Sequence, residues 1–213
     1  MTYSQNWAQS ERNYLCDLLD EVGPNHPTLC AGWTTADLAT HIIVRERRPD
    51  AALGIVLPAT ANYTRSVMSD YKNREWTQIV GLIRQGAPRW NPMSFGPVNL
   101  MANTLEFFVH VEDVRRSIDG WTPRELPAEY EELLWSRLRT TAPLLWRKCN
   151  VAVTLDNGES KILAKKNPLG PGVVVLGSIS ELVLKSYGRS ACNVNISGDE
   201  HSIALFNQTD LNV

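Results

Sequence analysis

The 213-residue chain has no run of 18 or more apolar residues, no cysteine pair at C-x-x-C spacing and almost no net charge. Each absence removes a class of function. Without a long apolar run there is no candidate transmembrane helix. The four cysteines, Cys16, Cys30, Cys149 and Cys192, are scattered. They indicate neither a zinc ribbon nor a disulfide framework, and read as reduced small hydrophobes in the interior. A net charge of -2 offers no broad electrostatic footprint for nucleic acid or anionic lipid, so neither partner is expected. Residues 1–15 lack a basic stretch followed by an apolar one, so no secretory signal is visible and a cytoplasmic location is expected. There is no internal repeat and no low-complexity segment.

What remains is an ordinary globular composition, 43% hydrophobic and 21% charged, long enough for one large or two modest domains. Residues 5–22 carry Trp7, Ala8, Tyr14, Leu15, Leu18, Leu19 and Val22 at helical spacing and halt at Gly23-Pro24. A second helix starts at Thr34, an N-cap with Asp37 in capping-box position, and ends before Pro49. Two further helices are expected over 59–72 and 74–85, then a loop over 88–97. A long helix follows from Val98, closed by Gly120. Amphipathic helices with modest connections bury their stripes best as an antiparallel bundle.

The pattern changes after residue 120. Residues 127–146 read as a helix that Pro143 breaks near its end. "NVAVTLD", "SKILAKK" and "GVVVLG" read as strands, the first two joined by a hairpin at Asn157-Gly158. "SISELVLKSYG" reads as a short helix, and "CNVNIS" and "HSIALF" as two more strands around the turn "GDE". The expected layout is α+β in two domains, a helical one over 1–120 and a smaller mixed one over 121–213.

The long helix contains "TLEFFVHVEDVRRSI", residues 104–118. At about 100° per residue, Asn103, Glu106, His110, Asp113 and Ser117 form a narrow polar strip beside an apolar stripe of Leu100, Phe107, Val111, Val114 and Ile118. Glu106 and His110 are one turn apart, close enough to reach one cation. Such a pair is equally what a local ion pair or a solvent-facing strip looks like. In the second helix Leu38, His41, Ile42 and Arg45 share one stripe, which directs His41 toward the bundle interior. A satisfied core histidine is one explanation. A three-ligand set of His41, Glu106 and His110, with a fourth position left for water or substrate as in catalytic zinc sites, is the other.

These residues carry a resemblance. "W-T-x-x-D-L-x-x-H", present as Trp33, Thr34, Asp37, Leu38 and His41, together with the E-x-x-x-H of Glu106 and His110, resembles the DinB-like metal-binding superfamily. Within it, the chain is most similar to the mycothiol-dependent maleylpyruvate isomerase-like family. The resemblance implies an N-terminal DinB-like antiparallel four-helix bundle followed by a smaller α+β sterol-carrier-like domain. It implies a divalent metal, zinc first, on His41, Glu106 and His110. It also implies a low-molecular-weight thiol such as mycothiol as cosubstrate, used for isomerisation or S-transfer on a small electrophilic substrate. No motif for the maleylpyruvate pocket is matched, so that specificity is not carried over.

Neighbouring residues have simpler readings. Asp37 and Asp113 would suit imidazole N–H acceptors, but capping explains Asp37 and a surface ion pair with Arg116 explains Asp113. Arg45, Arg47 and Arg48 could bind an anionic substrate, yet such a run at a helix end is usually solvated. His26 and His201 read as surface residues. Arg189 would suit a substrate carboxylate if it faced a cleft between domains. No obvious fourth protein ligand appears, which favours an open, catalytic metal position, although Cys30 stands only 11 positions before His41. The alternative to an enzyme is a non-catalytic protein that keeps the fold for metal or ligand binding.

Overall fold

The computed structural model describes residues 6–91, 96–166 and 171–211. Its fold is mixed: nine α-helices and a four-stranded sheet among the described residues. The chain divides into two compact units, Met1–Trp121 and Thr122–Val213. No helix of the described residues is long and apolar enough to cross a membrane.

The first unit is helical: α1 (Trp7–Val22), α2 (Thr35–Arg47), α3 (Pro49–Val56), α4 (Ala61–Lys72), α5 (Trp76–Gln85) and α6 (Gly96–Arg115). Local chemistry sets the ends. Asn6 accepts the Gln9 N–H before α1, and the chain leaves that helix at Gly23 with φ 76°, where a side chain would be strained. Thr34 and Asp37 form the full capping box at α2, as expected from sequence. Apolar side chains from α1, α2, α5 and α6 make one core, with Leu15, Leu19, Leu38, Ile42, Ile79, Ile83, Phe107 and Val111 at its centre.

Three expectations in this unit are corrected. The helix α3 falls where none was expected, because Pro49 ends α2 and also begins the next helix, a position where its fixed φ and missing N–H cost nothing. The long helix starts at Gly96 rather than Val98; residues 92–95 of the expected loop, and Gln5 of the expected first helix, lie outside the described residues. Ile118 and Tyr14, assigned to apolar stripes, are exposed; Ile118 lies beyond the end of α6, so helical phase no longer directs it inward. The side chain of Leu100 lies outside the described residues.

The second unit holds α7 (Ala128–Leu145), β1 (Ala152–Asp156), β2 (Lys161–Lys165), β3 (Gly172–Leu176), α8 (Ile179–Ser186), β4 (Asn195–Ser197) and α9 (Glu200–Asn207). Strand order is β2-β1-β3-β4, with β1 antiparallel to β2, parallel to β3, and β3 antiparallel to β4. Val153, Leu155, Ile162, Ala164, Val173 and Val175 alternate onto one buried face. The β1–β2 turn is the expected one: the Asn157 side chain accepts the Ser160 N–H at 2.7 Å and Gly158 has φ 89°. Pro143 does not break α7, which runs through it to Leu145.

The run "HSIALF" is a helix, not a strand. Its apolar residues alternate, but Asp199 accepts the Ser202 N–H at 3.0 Å as an N-cap, and the buried residues Ser202 and Phe206 are four apart. Capping and helical phase outweigh the alternation. Phe206 stacks on Trp146, with ring centroids 5.4 Å apart.

Close packing inside the first unit gives a test. A Cβ at Gly54 would fall on the Thr64 hydroxyl and within 2.6 Å of the Thr60 carbonyl oxygen. Gly54→Ala should therefore lower stability by roughly 1–3 kcal/mol, despite alanine's better helix propensity. A urea unfolding midpoint at or above that of the wild type would contradict the packing described.

Candidate functional site

The polar strip of α6 lies inside the first unit. Asn103 and Asp113 are fully buried and His110 nearly so, so the strip is not a solvated face. The α2 stripe brings His41 beside it. Side-chain exposures of His41, Glu106 and His110 are 12%, 20% and 8%. Both Nε2 atoms face one oxygen: His41 Nε2 is 3.3 Å and His110 Nε2 3.2 Å from Glu106 Oε1. The imidazoles meet edge to face with centroids 5.5 Å apart. The donor atoms of His41, Glu106 and His110 all lie within 4.8 Å of one another, a grouping that could hold a metal ion.

Three neighbours complete the arrangement. Arg45, one turn beyond His41, donates to Asn103 Oδ1 at 2.5 Å, and its Nε is 3.4 Å from Glu106 Oε1. Asp113 Oδ2 accepts from His110 Nδ1 at 3.0 Å and from the Cys30 thiol at 3.2 Å. The Trp33 ring lies 5.3 Å from that of His41. Cys30 and Trp33 belong to the α1–α2 loop, which is also tied to α6 by Leu29 N–H donating to the Asp113 carbonyl at 3.0 Å. Cys30, His110 and Asp113 form a second group of metal-capable side chains.

Charge follows from these contacts. Desolvation works to raise the Glu106 carboxyl, but Arg45 and the two imidazoles together hold it well below the usual carboxylate range. Burial pushes His41 down, and Glu106 only partly opposes it. Burial would lower His110 as well, but its bonds to Asp113 and Glu106 outweigh that and raise it to about 9. The cluster thus pairs an ionised carboxylate with one imidazole that favours the neutral form and one that favours the cation.

Other residues singled out from sequence fall elsewhere. Asp37 caps α2 and pairs with Lys72. Asp113 is not a surface residue, while Arg116 donates to Glu112 at 2.6 Å. The three arginines part company: Arg45 joins the site, Arg47 donates to the Leu82 and Gly86 carbonyls, and Arg48 pairs with Asp50. His201 is exposed, whereas His26 is half-buried, with its Nδ1 3.3 Å from the Ser117 hydroxyl. Arg189 follows α8 in the second unit and donates to the Tyr187 carbonyl at 2.5 Å. Sequence reasoning missed the Arg45–Asn103 contact and the side on which Cys30 approaches, because i,i+4 spacing speaks only within one helix. Trp33 was visible only as a motif letter.

Comparison of the chain with protein-family models, with curated proteins and with solved structures found no match.

The two imidazoles should titrate apart. In protein free of added metal, the His110 ring C–H resonance should move near pH 9 and that of His41 below the ordinary histidine value. His110 is raised above its unfolded value of about 6.5. Its contribution to stability is complete below that pH, declines above it and is gone once pH has risen through about 9. His41 acts oppositely, its contribution being lost as pH falls. Coincident titrations near 6.5 would contradict the contacts described.

Proposed function

We propose that His41, Glu106 and His110 hold a divalent metal, zinc first. In this reading the chain is an enzyme that activates a low-molecular-weight thiol, of the mycothiol type, for isomerisation or S-transfer on a small electrophile. The observation that carries the reading is a pair of distances. Charge-assisted N–H···O bonds run about 2.7–2.9 Å, whereas both Nε2 atoms stand 3.2–3.3 Å from the same Glu106 oxygen. Adjacent ligands on a tetrahedral cation with bonds of about 2.0–2.1 Å are about 3.3 Å apart. Two imidazole nitrogens and a carboxylate oxygen are also the donor types that zinc accepts in three-ligand catalytic sites. The residues fit the ion.

When bound, such an ion supplies the charge that keeps a coordinating thiol ionised at neutral pH. The chain's own residues do the rest. With the ion bound, His41 and a His110 that has lost its Nε2 proton would present nitrogen lone pairs, Glu106 would supply negative charge, and Arg45, anchored on Asn103, would limit how far Glu106 can turn. The thiolate would add to a conjugated carbon, sending the C=C electron pair onto the conjugated carbonyl; rotation about the former double bond and expulsion of the same thiolate would return the trans isomer. Displacement at a saturated carbon would instead form a thioether as that carbon's leaving group departs with the bonding pair. In the same reading the first unit is a DinB-like bundle and the second a sterol-carrier-like domain, supported by the order of helices and strands and by the helices that carry the donors. Cytoplasmic location and independence of nucleic acid belong to the same proposal.

One observation favours a second reading. Arg45 already places positive charge beside Glu106, as a metal-free, non-catalytic protein that keeps this polar cluster for ligand binding or stability would require. The readings separate on purified protein. The first expects about one zinc per chain by elemental analysis, lost in His41→Ala and in His110→Ala, and turnover of conjugated acids or alkylating electrophiles that depends on added thiol. Metal retained undiminished in both variants would sink the ligand assignment, and metal without thiol-dependent turnover would favour the second reading.

A further inference from the structure

Only one ring nitrogen of His110 can serve the donor set with Glu106 and His41. Nε2 faces Glu106, and Nδ1 faces Asp113 at 3.0 Å. Asp113 is an odd residue for its place. It is fully buried, and it sits in the last turn of α6, where the helix dipole disfavours a carboxylate. One of its oxygens is shared between an imidazole and a thiol: Oδ2 accepts from His110 Nδ1 and from Cys30 Sγ. Burying a carboxylate in such a position is costly unless its bonds are well made.

We infer that Asp113 is a positioning residue: its Oδ2 keeps the proton on His110 Nδ1, so that it is Nε2, facing Glu106 and His41, that gives up its proton and presents the lone pair when a cation binds, and the Cys30 thiol holds the carboxylate in that orientation. The inference deepens the metal-site reading, on which its effect on affinity rests. Both sides of the ring are at hydrogen-bond distance, but only the Nε2 side faces an oxygen shared with a second imidazole, that of His41. Cys30, His110 and Asp113 also have donor atoms within 4.8 Å of one another, so a second cation is the rival occupant. That rival requires Nδ1 to surrender the proton it donates, and the observed bond favours retention.

The test uses the full chain. Cobalt(II) affinity, measured by competition with a chromophoric chelator, should fall about 10–100-fold in Asp113→Asn, the range for loss of an imidazole's outer partner, and by less in Cys30→Ala. The cobalt-loaded wild type should show a slowly exchanging Nδ1–H resonance from His110, retained in Cys30→Ala and lost in Asp113→Asn. Unchanged affinity and an intact resonance in Asp113→Asn would overturn the inference. So would a second equivalent of cobalt with a thiolate charge-transfer band that vanishes in Cys30→Ala. If the wild type binds no cobalt, the metal reading falls, and nitrogen NMR of the metal-free wild type still decides the point. At a pH where the ring is neutral, the Nδ1–H tautomer supports Asp113 in this role and the Nε2–H tautomer overturns it.

Discussion

Arg12 sets the alignment on which the first unit depends. Its guanidinium, 2% exposed, meets both oxygens of Glu46 on α2 at 2.8 and 2.5 Å. It also donates to the Ile83 carbonyl on α5 at 2.9 Å and lies over the Phe107 ring of α6, 4.2 Å from the centroid. One side chain of α1 therefore touches the three helices packed around it. A buried ion pair gains little net stability, since desolvation offsets most of the attraction. Its effect is on geometry, because a rigid planar fork that meets a carboxylate, a carbonyl and a ring face at once narrows the alignment of the helices that carry them. Glu46 is five residues beyond His41, and Phe107 is the neighbour of Glu106. The same contact that aligns α2 with α6 thus fixes the distance across which the imidazoles and the carboxylate converge.

Much of the first unit was legible because its signals are local. The Thr34–Asp37 box, the helical phase of Leu38 and Ile42, and the stripe of Phe107, Val111 and Val114 are written within single helices, and each is found in the structure. The same locality explains the failures. Pro49 carries two meanings at once, a stop and a start, and one sequence cannot tell which applies. The i,i+3 spacing to Arg116 suggests a surface position for Asp113, which is buried, while Cys30, 83 residues away, offers no spacing at all. Arg45 and Asn103 are likewise joined only by the fold.

The second unit repeats the lesson with the opposite bias. Alternation made strands of β1, β2 and β3 and, wrongly, of the segment that forms α9. Ser202 and Phe206 are buried on one side of that helix, and Phe206 lies against Trp146, whose indole N–H donates to Ser186 on α8 at 3.0 Å. A period of two and a period of about four coincide over six residues. The N-cap at Asp199 separated them.

The α1–α2 loop has a consequence of its own. Connecting loops ordinarily accept insertions and deletions more readily than the elements they join. Here the segment from Leu29 to Trp33 holds the Asp113 carbonyl and carboxylate at one end and lies against the His41 ring at the other. A change in its length would disturb the surroundings of both histidines together. Among descendants of this chain, the length of that short stretch should be held as narrowly as the residues of a helix interior.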